Sequence, residues 1–192
     1  RKGDMDIAQA QADVRRVYRG GYSGPLVSAA VWAIANSAYL VASPSAGMAV
    51  LFFGGMLIFP LSALILKATT GRSSLPKGHP SNALAMQSAF TVPIGLLVAI
   101  ALGTYEPALF FPASLIIVGA HYLVFVSLYG MRAFAVLSGA LVILGTVGIF
   151  VVPDIGSVSG WLGAGVFLIF TPILYRTGTT NSRSGTEHAD TC

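Results

Sequence analysis

In 192 residues the chain carries eleven basic and seven acidic side chains, a net charge of +4, and it is 55% hydrophobic. Charged residues make up only 9% of it, where a typical soluble domain has ~25%. That balance excludes a soluble globular protein, whose exterior would be almost uncharged, and a disordered chain, and it leaves an integral membrane protein.

The first predicted element is a short amphipathic helix over 6–19. Ile7, Ala10, Val14, Val17 and Tyr18 recur at helical spacing, while Arg15, Arg16 and Arg19 take other faces. Asp6 is a candidate cap, and Gly20-Gly21 end the helix. Such a helix lies in the membrane interface beside the first span.

Charge placement then defines the spans. Residues 20–66, 78–105, 107–131, 133–153 and 155–175 contain no Asp, Glu, Lys or Arg. A crossing helix needs ~20 mostly apolar residues, so the first window holds two crossings and the others one each. Ser43-Pro44-Ser45-Ala46-Gly47 has the composition of a turn and divides that first window. The predicted spans are 26–42, 48–66, 84–103, 108–129, 132–152 and 160–175. The fold class is therefore all-α, a bundle of six transmembrane helices. The first apolar run also reads as a cleavable leader, but it is long for one.

Orientation follows from the basic residues. All eleven flank the spans on one side, and the opposite loops hold only Glu106 and Asp154. The positive-inside rule places that side, with both termini, in the cytoplasm. The chain divides into a cytoplasmic amphipathic segment (1–24), a membrane domain (25–176) and a disordered cytoplasmic tail (177–192). In the loop 67–83, Lys77-Gly78-His79-Pro80 reads as a solvated, topology-setting turn, with an anionic headgroup site as the alternative. Cys192 is the single cysteine, so no internal disulfide or Cys-based metal site forms. The positive charge is accounted for by topology and anionic lipid, and no nucleic-acid module is expected.

An ionisable residue within the bilayer is a functional candidate, because desolvating it is costly. His121 is the one such residue, near the middle of the fourth span. Tyr122, Asn36, Gln87 and Thr91 lie at compatible depths and complete the candidate ligand-binding set. Interhelical packing explains Asn36 and Thr91 at least as well. Gly54-Gly55-Pro60, Pro93 and Pro172 mark expected kinks. Small residues at Ala29, Ala33 and Ser37, at Gly139, Gly145 and Gly148, and at Gly160, Gly163 and Gly165 predict close helix approach. Homo-oligomer contact is the second reading of those faces. The chain offers no catalytic nucleophile, acid–base pair, metal cluster or cofactor motif, so an enzyme is not expected.

Gly54-Gly55-Met56-Leu57-Ile58-Phe59-Pro60-Leu61, Lys77-Gly78-His79-Pro80, Gln87, Pro93, Gly119-Ala120-His121-Tyr122 and Tyr129 together resemble an uncharacterised bacterial family of small multi-pass membrane proteins, a domain of unknown function. The likeness covers residues 15–175 and departs from the pattern at His79 and Val124. It implies a bacterial inner-membrane location and supplies no activity. Two functions compete. One is a small-molecule or ion binding or transport protein with a pocket around His121. The other is a non-catalytic accessory or assembly subunit that works through a membrane partner.

Overall fold

The computed structural model describes residues 7–71, 75, 79 and 81–187. The N-terminal helix α1 (Ile7–Tyr18) is followed by six longer helices: α2 (Ser23–Val41), α3 (Pro44–Thr70), α4 (Ser81–Tyr105), α5 (Phe110–Tyr129), α6 (Ala133–Phe150) and α7 (Ser159–Glu187). No strand occurs among the described residues. The six expected crossings coincide with six helical stretches that are long and apolar enough to span a bilayer. Asp6, the expected cap of α1, lies outside the described residues.

Two boundaries differ from the sequence reading. The turn between α2 and α3 is shorter than Ser43–Gly47, because α3 already begins at Pro44. Ser43 is its N-cap, accepting the Ala46 N–H at 3.1 Å, and Pro44 occupies a first-turn position where its missing N–H costs nothing. At the other end, α7 runs on to Glu187, although the sequence suggests disorder after Arg176. The continuation has a local anchor. Gly178 lies directly against Gly20, and Thr177 Oγ1 bonds back to the Ile173 carbonyl at 2.8 Å.

The helices form a ring in the order α3, α2, α7, α6, α5, α4, and the ring is uneven. α2 with α3 and α5 with α6 are closely packed, whereas α3 and α4 barely touch. Without a hydrophobic driving force between helices in lipid, close approach depends on small residues and van der Waals fit. Gly54 packs on Val31, Gly163 on Leu115 and Trp32, and Gly145 on the Pro112 backbone. Ser138 Oγ donates to the Gly119 carbonyl at 2.7 Å, fixing α6 to α5. Gly139 and Gly165 have open space where a Cβ would go, so neither contributes a contact.

Among the described residues α1 and the C-terminal half of α7 sit at the same end of the ring, and α1 lies across that end. Its Arg15 is turned inward, unlike the outward face suggested by its spacing, and Nη1 donates to the Tyr129 carbonyl. Gln11 Nε2 donates to the Ser127 carbonyl at 2.7 Å. These are terminal carbonyls of α5, which have no intrahelical partner and carry the negative end of the helix dipole. A cation there is stabilising, which explains the inward turn. Gly20 and Gly21, at φ 72° and 76°, then swing the chain into α2.

Candidate functional site

A cavity of about 230 Å³ lies inside the ring between α2, α3, α4 and α5. It extends from Tyr18, Gly21 and Tyr129 at the terminal end to Trp32, Leu96 and Val118 near mid-bundle. Its walls are mostly apolar and contain no Asp, Glu, Lys or Arg. Polar groups enter at a few places only: His121, Tyr122, Tyr18, Tyr129 and the serines Ser23, Ser28 and Ser62.

His121 is the centre of this set. Its Nδ1 lies 2.8 Å from Ser88 Oγ on α4. That contact holds the ring and joins α5 to α4. The second nitrogen, Nε2, makes no hydrogen bond to any described residue, and the ring lines the cavity. A neutral imidazole has one donor and one acceptor, so one of the two functions remains for a guest. On the other side the ring meets Phe125 edge-on at 4.8 Å.

The wall behind His121 is aromatic and rigid. Tyr122 is buried and stacks on Phe134 at 6.2 Å with 12° between planes. Its hydroxyl faces the Ser28 side chain on α2. Phe125 and Tyr129 pack against Phe134 at 5.6 Å and 4.9 Å. Trp32 contacts Phe111 and Phe167. Such rings interlock, so this wall has little freedom to collapse into the cavity.

The facing wall is built differently. Ala85, Ala89 and Pro93 follow one another at i+4 spacing on α4, and Gly55, Met56, Phe59 and Ser62 come from α3. Pro60 and Pro93 both sit inside their helices and have no N–H to give. The carbonyls they would otherwise satisfy are those of Met56 and Ala89, and both residues border the cavity. Pro172 is inside α7, away from the cavity.

The other residues singled out from the sequence lie elsewhere. Asn36 is fully buried at the opposite end of the ring. Its Nδ2 donates to the Ser157 carbonyl at 2.9 Å, and its Oδ1 accepts the Trp161 backbone N–H at 3.1 Å. It thereby satisfies an orphan amide in the first turn of α7. The Trp161 indole adds bonds of 3.2 Å to the Ala33 carbonyl and to Ser37 Oγ. Asn36 is a staple between α2 and α7. Gln87 is exposed on the outer face of α4. Thr91 is exposed as well, with its hydroxyl turned back to the Ser88 carbonyl at 2.7 Å. So His121 and Tyr122 meet at the cavity, and Asn36, Gln87 and Thr91 do not.

Sequence reasoning missed Ser88, whose hydroxyl holds His121, and Ser28, which lies beside Tyr122. For Ser28 a signal existed, because it stands one helical turn before Trp32. His79 also departs from the expected solvated turn. It is buried, its Nδ1 accepts the Ser81 N–H at 3.2 Å, and its Nε2 stands 3.8 Å from Asp13 Oδ2 on α1. Lys77, Gly78 and Pro80 lie outside the described residues. Among the described residues no cluster of His, Cys, Asp and Glu is arranged to hold a metal.

A family model described as "Family of unknown function (DUF7010)" matches residues 7–177. The chain belongs to this family. No curated protein and no solved structure matches it. The match takes in α1, the whole of α2 to α6 and α7 as far as residue 177, so the cavity lies within the family's domain.

Proposed function

We propose that the protein is a bacterial inner-membrane protein, with both termini cytoplasmic, that binds a small and mainly apolar molecule beside His121. The observation that carries this reading is the cavity itself, walled by locked aromatic rings, with one imidazole nitrogen left for a guest. A dry apolar cavity of ~150 Å³ accommodates benzene, so about 230 Å³ suits a molecule of one ring with a substituent. The absence of charged side chains in the walls favours a neutral or weakly polar guest over a bare ion. One hydrogen-bonding group on the guest, opposite Nε2, would set its orientation.

The test is thermal stability of the purified protein against neutral phenols, amides and alcohols of this size, with His121→Leu alongside. A compound at ~100 times its Kd stabilises by about 2.7 kcal/mol. Stabilisation of the wild type that is lost in His121→Leu supports the site. A panel that never stabilises the wild type counts against it.

The second reading is a non-catalytic accessory subunit in which His121 is a packing residue. It is favoured by one observation, the large outward apolar faces of α3 and α4. Co-purification of one defined membrane partner that is lost on substituting Phe53 and Phe90 on those faces would support it.

A further inference from the structure

We infer that the guest of this cavity is an amphiphile already dissolved in the membrane, and that it enters sideways between α3 and α4. The inference rests on the binding-site reading above and adds the route and the class of molecule.

The first ground is the uneven ring. α3 and α4 are neighbours in the ring yet touch very little, and the cavity lies directly behind their seam. The second is that some residues belong to both the cavity and the outside. Met56 and Phe59 line the cavity and are also 49% and 62% exposed on the outer surface of α3. Ala89 does the same on α4. These three stand at a mouth, and the mouth faces hydrocarbon, because both helices are apolar through this stretch.

The third ground is the state of the other exit. Toward the terminal end the cavity meets Tyr18, Leu66 and Tyr129, of which Leu66 and Tyr129 are buried. Beyond them α1 is bonded to the end of α5, and Tyr18 faces the Leu75 backbone. Leu75 and His79 are buried there too. Among the described residues the floor is closed by buried side chains, while the seam is lined by Ala85, Ala89 and Pro93 on α4 and by Gly55 with the exposed side chains of Met56 and Phe59 on α3. A molecule arriving from water would have to displace α1, whereas one arriving from lipid meets the small residues of α4 and has only the exposed side chains of Met56 and Phe59 to push aside.

The chemistry of the mouth defines the guest further. Pro60 and Pro93 free the carbonyls of Met56 and Ala89, acceptors that hydrocarbon cannot satisfy. A molecule with a hydroxyl or N–H group on an apolar body can use such acceptors on entry and His121 afterwards. A fully apolar solute gains nothing there, and a permanently charged one is excluded by the bilayer.

The experiment uses 4-bromophenol, a bilayer-soluble phenol whose bromine quenches tryptophan fluorescence. In a Trp161→Phe background Trp32 is the only tryptophan, excited selectively at 295 nm, and it lines the cavity. The protein is reconstituted in phosphatidylcholine vesicles, and quenching is followed by stopped flow. Saturable quenching by 4-bromophenol, with none by aqueous iodide, is expected. Ala89→Phe should slow the approach to saturation roughly tenfold, equivalent to about 1.4 kcal/mol on the barrier. Phe59→Ala should speed it, which provides a test free of overpacking. Arg15→Ala, which loosens α1, should leave the rate unchanged. If Arg15→Ala accelerates quenching while both mouth variants do nothing, the route is aqueous and the lateral entry is overturned, although the site stands. If quenching of the parent rises linearly without saturation, the site reading itself fails, and the route with it.

Discussion

Replacing Asn36 with Leu keeps the branched shape of the side chain, in a somewhat larger volume, and removes two hydrogen bonds, to the Ser157 carbonyl and from the Trp161 N–H. Polar interactions between membrane helices are worth roughly 1 kcal/mol each, with a maximum of about 1.7. The substitution also leaves the Trp161 N–H without a partner in the first turn of α7, where no helix carbonyl precedes it. A loss of about 2–3 kcal/mol is therefore expected. For a chain of this length that corresponds to a fall in Tm of roughly 5–10 °C. His121→Leu removes only the bond to Ser88 and should cost about 1 kcal/mol. The assay is thermal unfolding in detergent, read by near-ultraviolet circular dichroism, with the two variants side by side. An Asn36→Leu protein as stable as wild type, or less affected than His121→Leu, would refute the assignment of Asn36 as the staple between α2 and α7.

Gly20→Ala should destabilise by more than about 2 kcal/mol, because a left-handed φ costs an L-residue ~1–2 kcal/mol and the new methyl would strike the Leu174 carbonyl. Gly24→Ala is the control, since its methyl meets nothing within 4 Å, and the same melt should show no loss. Arg15→Ala should raise hydrogen exchange selectively in α1 and in the last turn of α5, whose carbonyl it unbinds; uniform exchange across the bundle would contradict a local clamp. Cys192, the only thiol, should resist an impermeant maleimide added outside intact cells and react after permeabilisation. Labelling from outside would reverse the proposed orientation.

The crossings were legible because hydropathy over ~20 residues reports burial in lipid directly. The turn before α3 was harder to delimit, since Pro44 and Ser45 fit a first helical turn as well as a loop. His121 stood out as the lone ionisable group within the spans, and in the structure it lines the cavity. Its partner did not stand out. Gln87 and Ser88 are adjacent, but successive helical residues point ~100° apart, and nothing local says which faces inward. The rotation of α4 is set by contacts with α5, and it turns Gln87 out and Ser88 in. Asn36 shows the same limit, because its face was readable while its partners lie at the far end of the chain. The inward turn of Arg15 depends on the free carbonyls of α5, which no spacing within 6–19 reveals.

The bonds that close the two ends of this bundle also impose an order of assembly. Asn36 is 121 and 125 residues from its partners Ser157 and Trp161, and Gln11 is 116 residues from Ser127. At ~5–20 residues per second of synthesis, Asn36 waits roughly 6–25 s in or near the membrane for the last helix. During that interval its amide has neither of its native partners, and α1 has no helix end to grip until Ser127 and Tyr129 have been made. The early hairpin of α2 and α3 is thus a provisional structure, and insertion of α7 is the event that makes it permanent. A chain stalled before Ser157 should be a preferred target for membrane quality-control proteases, whereas one stalled just after Trp161 should already resist them.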